Sequence, residues 1–319
     1  MKPAVATFLP PVPGSAAVLP AIQVILLSLV VLAVFTYDPS AAAYLPVVIS
    51  IAFLAGGLPH GAFDIHRIMA RGRLGNRGTV VLTAAYIAIA VTALWLWQVA
   101  PALVMVLFLT TAWWHFAEDW HAVAKPLFRA ALGLAPMISI TVGHTGEVEQ
   151  IFAAMSTPAT ATILTDALVL AAPVVLLVAL VALWSCWKAG QRQRAVPFAL
   201  LLAVLPVLPP LIGFALFFCL FHTPLHMRTI SRELSDWPVR RMLAVGAGLS
   251  VLGTVLGLLL LPHALEGGTS SVAAAFQLLA ALALPHQSVG LLGRLVEQEA
   301  KPQRKLTTLS ATGRTRLPS

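Results

Sequence analysis

The sequence predicts an all-α fold: a polytopic integral membrane helix bundle with about ten transmembrane segments (eight to ten). Three observations predict it. Of 319 residues, 59% are hydrophobic and only 10% charged, with a mean hydropathy of +0.90, whereas a soluble domain carries about 25% charged residues. Several runs of roughly 20 residues hold no charge, which is the length a helix needs to cross a bilayer. The basic residues fall in short clusters between those runs, as topology signals do. A β-barrel is excluded, because its strands alternate apolar and polar over about ten residues and these runs are continuous.

The segments follow in order. The first, about 17–36, is preceded by one lysine and several prolines. "FTYDPSAAAYL" is a poor cleavage region, so this run reads as a span and not as a signal peptide. The second, 44–66, is followed by Arg67, Arg71, Arg73 and Arg77. Segments 79–99 and 101–120 come next, the latter followed by Lys125 and Arg129. Segment 126–143 leads to a loop poor in Lys and Arg that carries Glu147 and Glu149. Segment 162–187 is followed by Lys188, Arg192 and Arg194. Segment 192–208 is short and Pro-rich, and a half-helix is the alternative to a span. Segment 210–230 runs into Arg228, Arg232, Arg240 and Arg241. Segment 242–262 contains "GAGLSVLGTVLG", the composition of close helix packing. The last, 271–292, is followed by Arg294, Lys301, Arg304 and Lys305.

Every even-numbered segment thus ends on a basic, cytoplasmic side. If 192–208 did not cross, the last two clusters would face outward, so ten spans with both termini cytoplasmic is the simplest arrangement. The expectation is one membrane domain over 1–292 in the cell's plasma (inner) membrane, with a basic, disordered cytoplasmic tail at 293–319. The net charge of +8 does not imply nucleic acid, since there is no long basic block. The two cysteines, Cys186 and Cys219, form neither a disulfide framework nor zinc spacing.

Chemistry concentrates in the histidines. Of nine, His66, His121, His144 and His263 read as rim or loop residues. The other five are His60, His115, His222, His226 and His286. They lie on segments two, four, eight and ten, each within about three helical turns before a basic cluster, which at about 1.5 Å per residue sets them at one depth. An unpaired polar group in hydrocarbon costs several kcal/mol. A shared metal explains a common depth better than separate interhelical hydrogen bonds do. Imidazole suits Fe, Zn, Cu and Ni. His222 and His226 share a helix face at i, i+4 spacing unless Pro224 breaks the helix between them. Prolines also precede His60 and His286, and kinks at one depth open room for a ligand. Asp64 and Asp119 each follow a histidine by four residues. With Glu118, they are the candidates to accept a hydrogen bond from a metal-bound imidazole. Among the aromatic residues nearby, Phe63, Trp114, Phe218 and Phe221 are candidates to line a slot for an apolar ligand.

The blocks "GLPHGAFDIH", "WWHFAEDWH", "FHTPLHM" and "LPHQSV" resemble the Brp/Blh family of bacterial and archaeal β-carotene 15,15′-dioxygenases, over roughly residues 50–292. The second block reads Ala117 where the family more often has Gly. The resemblance implies Fe(II) held by His60, His115, His222 and His226, with His286 a further metal or substrate-site residue. It implies O2 and β-carotene as substrates, taken from the lipid bilayer, retinal as product, and a functional link to a microbial rhodopsin. The residues alone leave other readings open. One is a histidine-box desaturase or hydroxylase, disfavoured by the lack of any His-His pair. Others are a metal transporter and a haem-binding electron carrier.

Overall fold

The computed structural model describes Ser50, Leu54 and residues 58–70, 76–260 and 268–288. The first expected span and the tail at 293–319 lie outside the described residues. A 3-10 turn at Leu58–Phe63 leads into α1 (Asp64–Ala70). Next come α2 (Asn76–Val99), α3 (Pro101–Glu118), α4 (Pro126–Gly143), α5 (Thr145–Met155), α6 (Pro158–Lys188) and α7 (Arg192–Val204). The series ends with α8 (Pro210–Leu216), α9 (Thr223–Glu233), α10 (Val239–Leu260) and α11 (Gly268–Ser288). Among the described residues there is no strand.

Proline punctuates this series. Pro101, Pro126, Pro158 and Pro210 each open a helix, where a missing N–H costs nothing. Thr157 caps α6 by accepting from the Thr160 amide. α8 and α9 are one span, Pro210–Glu233, joined by a π-helical turn at Phe217–His222. Pro224 explains the widened turn, because its ring would clash with the carbonyl of residue 220 in a regular α-helix. The chain therefore does not break at Pro224, and no new cap forms at Thr223, whose backbone is already helical.

The chain is a membrane protein built as an all-α bundle. Five helices among the described residues are long and apolar enough to cross a bilayer by length and composition. The first expected span and most of the second lie outside the residues in which these five are found. Helix α3 has the 18 residues required but gives its last turns to Trp113, Trp114, His115 and Glu118, and falls outside the five. Segment 192–208 is a 13-residue helix followed by one 3-10 turn. It packs on α6 and, through that turn, on α4. Arg194 donates to the carbonyl of Asp119 just past the end of α3, and Pro206 sits against Gly143 at the end of α4.

The long helices meet through small side chains. Helix α4 packs on both α3 and α6, with Ala135, Ala179 and Ala182 fully buried. A Cβ on Gly133 would stand 2.5 Å from the Ala117 backbone nitrogen. The small residue at 117 therefore faces a position that only glycine fits, and α3 and α4 touch backbone to backbone. The Leu58–Phe63 turn is held between α9 and α10. Gly133→Ala is expected to destabilise the protein by about 1–3 kcal/mol through this overpacking. Thermal unfolding in detergent checks it, with the surface glycine variant Gly146→Ala, which meets nothing within 4 Å, as the neutral control.

Candidate metal centre

Helix α3 brings His115 to the bundle three residues before its end, on the buried face that also carries Phe108 and Ala112. The π-helical turn ends on His222, which is fully buried, and His226 follows one turn later on α9. His286 lies near the end of α11. The ring of His115 is 4.8 Å from His222, 4.8 Å from His226 and 5.0 Å from His286, centroid to centroid. His222 and His226 are 4.6 Å apart, so the proline between them leaves the rings convergent. His226 and His286 are 6.2 Å apart. Four imidazoles from α3, the α8–α9 span and α11 therefore form one cluster.

His60 lies in the Leu58–Phe63 turn, and its side chain is outside the described residues. Its neighbour Gly61 abuts the His286 ring, since a Cβ there would be 3.7 Å from Nδ1. The turn that carries His60 is thus packed beside the cluster.

Three carboxylates surround the imidazoles. Asp119 Oδ2 is 2.8 Å from His222 Nδ1, and its Oδ1 is 3.2 Å from His226 Nε2. Asp64 Oδ2 is 2.6 Å from His286 Nδ1. Glu118 Oε2 is 3.6 Å from His115 Nδ1. The expected pairs are His60 with Asp64 and His115 with Asp119; the first rests on the His60 side chain, outside the described residues, and Asp119 is within reach of His222 and His226. Asp119 turns to α9, and Asp64 turns to α11. Residues four apart stack along one helix face, but a buried carboxylate follows the strongest donor available, here an imidazole on a facing span. A carboxylate on Nδ1 fixes the ring so that Nε2 carries the lone pair a metal takes.

The donor atoms fit a metal. One nitrogen from each of His115, His226 and His286 lies within 4.8 Å of the others, and so do a carboxylate oxygen of Asp119 and one nitrogen each from His222 and His226. Two nitrogens each about 2.1 Å from one ion stand at most about 4.2 Å apart, so small rotations would close either set. An all-imidazole core with carboxylate partners suits a first-row divalent ion.

Beside the cluster runs an apolar cavity of about 570 Å³, with His115 and His286 in its wall. That volume is in the range of a small-molecule site. Helix α3 contributes Phe108, Ala112 and Phe116, the α8–α9 span Phe214 and Phe218, and α11 Phe276, Leu279 and Leu282. Of the four aromatic residues expected to line a slot, Phe218 does so. The other three do not line this cavity. Trp114 is 69% exposed, because one residue before His115 a helix turns by about 100° and faces outward. Phe63 is fully buried in a separate apolar cluster with Met227, Ile230 and Met242. Phe221 packs between Trp120 and Phe198.

Several residues at the site were not singled out from the sequence. Tyr86 on α2 donates to Asp64 at 3.4 Å and lines the cavity. Arg194 holds the Asp119 carbonyl and lies over the Trp120 ring. Arg67 makes a two-pronged ion pair with Glu233, at 2.6 and 3.1 Å, joining α1 to α9. A tyrosine inside an apolar run and an arginine opening a short helix are the only signals the sequence offers for the first two.

Asp119→Asn is expected to lower metal affinity about 10–100-fold, because it removes one charged partner from two imidazoles. Glu118→Gln, at a longer distance from a single ring, is expected to cost less. Titration of the stripped protein with Fe(II) compares the two. A family model described as Beta-carotene 15,15'-dioxygenase matches residues 49–292, well over half of the chain. No curated protein and no solved structure matches.

Proposed function

The chain belongs to the β-carotene 15,15'-dioxygenase family, and from that premise we propose that it cleaves the central double bond of β-carotene with O2, giving two molecules of retinal. One observation carries this reading: an apolar cavity with imidazoles from two helices, His115 and His286, in its wall. A hydrocarbon substrate needs such a cavity, and oxygen chemistry needs such donors.

The reaction balances simply. The carbon–carbon double bond breaks, the oxygen–oxygen bond breaks, and each carbon leaves as an aldehyde with one oxygen atom. Fe(II) held by His60, His115, His222 and His226, with His286 as the further candidate, would supply the activation of O2. The rest falls to the chain. Asp119, Asp64 and Glu118 hold the imidazoles in one orientation and offset the ion's positive charge. Phe108, Phe116, Phe214 and Phe218 exclude water and clasp the polyene. Ile87, Leu249 and Leu252 line the cavity and are also exposed, so it opens sideways between α2 and α10, the direction from which a lipid-dissolved substrate arrives. Positioning is the main catalytic contribution of this wall, since a bond misplaced by about 1 Å costs on the order of 10²-fold.

Expressed in a carotene-producing bacterium, the chain is expected to remove the orange colour and leave retinal in the extract. His115→Ala, His222→Ala and His226→Ala are each expected to reduce retinal to background. Unchanged carotene beside folded, iron-loaded protein overturns the reading. Two irons per chain favours a desaturase-type centre, and a Soret band favours haem.

A further inference from the structure

The cavity has two ends, and the helices that line it fix their separation. His286 and Phe276 both line it from α11. They are ten residues apart, which is about 15 Å along the axis at about 1.5 Å per residue. At the end away from the histidines stands α5, an 11-residue helix foreseen only as a loop. Gln277 donates to the carbonyl of Met155 at 3.4 Å, which sets the last turn of α5 at the level of Phe276. Val148, Ile151, Phe152 and Met155 are spaced i, i+3, i+4, i+7, and this single face enters the cavity lining. Glu147, on the other face, is exposed.

A conjugated polyene offers its enzyme a repeating series of similar double bonds with no polar group to mark one of them. Apolar contact is non-directional, and one methylene more or less in an apolar pocket discriminates by only about 1–3 kcal/mol. Selecting one bond therefore requires a fixed distance from a chain end.

We propose that α5 is the length stop of the substrate cavity. Ile151, Phe152 and Met155, with Phe276, arrest one end ring of a linear polyene, and the distance from that ring to His115 and His286 selects the bond that is cut. The inference rests on the function proposed above and adds the residues that set its specificity. Helices α3 and α11 each carry both cavity wall and imidazole, so the stop and the site keep their spacing together.

Phe152→Ala and Ile151→Ala test this. Both side chains are half-buried, so each change opens space without emptying the protein core. The iron-loaded protein is given β-carotene and its aldehydes are identified by mass. Wild type is expected to yield the twenty-carbon aldehyde alone. Each variant seats the ring deeper and is expected to shift cleavage by at least one conjugated double bond, giving an unequal pair of aldehydes whose carbons still total forty. In parallel, carotenoid retained by the metal-free proteins is read from its visible absorbance and is expected to persist, because removing a stop leaves room. Folded variants that yield only the twenty-carbon aldehyde, or that both lose carotenoid, overturn the length stop while leaving the cleavage activity standing. A wild type that loads iron and forms no aldehyde overturns the activity, and the length stop with it.

Discussion

Two buried carboxylates constrain everything else in this bundle. Asp64 and Asp119 are each 4% exposed in a protein that is otherwise almost wholly apolar. An isolated carboxylate in such surroundings is far more costly than any single apolar contact is favourable, and removing the partner of a buried charge costs about 3–5 kcal/mol. Each is therefore tied to imidazoles from spans remote in sequence, Asp119 to His222 and His226 and Asp64 to His286. Helices α1, α3, α9 and α11 have to meet at one depth before either acid can be buried. The residues that could hold a metal are also the clasp of that end of the bundle. The Arg67–Glu233 pair and the Arg194 contact with the Asp119 carbonyl reinforce it from the rim.

The departures from regular helix gather at the same depth for the same reason. A π-helical turn enforced by Pro224 delivers His222, and a 3-10 turn precedes Asp64. A regular helix fixes the angle between successive side chains at about 100°. A π turn changes that phase locally, and such turns cluster at functional sites. Here it lets one span pack Phe217 and Phe218 into the core and still aim two imidazoles at a partner span.

Depth was legible in the sequence, and rotation was not. The position of each histidine relative to its basic cluster fixed how far along its helix it lay, because rise per residue is constant. Which way a residue faces is a different matter in a helix that is apolar all round. In "TTAWWHFAE" nothing in the local pattern distinguishes Trp114, which faces outward, from Phe116, which is buried beside His222. That is why three of four expected slot residues lie elsewhere, and why the contacts of Asp119 and Asp64 with imidazoles across the bundle are not readable from local spacing. Helix α5 was missed for a related reason. "TGEVEQIFAAM" is too short and too polar to register as a span, yet its one apolar face has a cavity to cover.

The cavity and the histidine cluster share their walls, and this ties the two halves of the chemistry together. On α3 the series Phe108, Ala112, His115 and Phe116 runs down one face, from hydrocarbon lining to imidazole. On α11 the series Phe276, Leu279, Leu282 and His286 does the same. A shift of either helix along its axis would move the ligand set and the apolar wall by the same amount. The Ala117–Gly133 contact opposes such a shift, because two backbones in touch have no side chain between them to yield. Tight small-residue packing on one side of α3 thus keeps the apolar cavity wall and the histidine cluster on its other side in constant register.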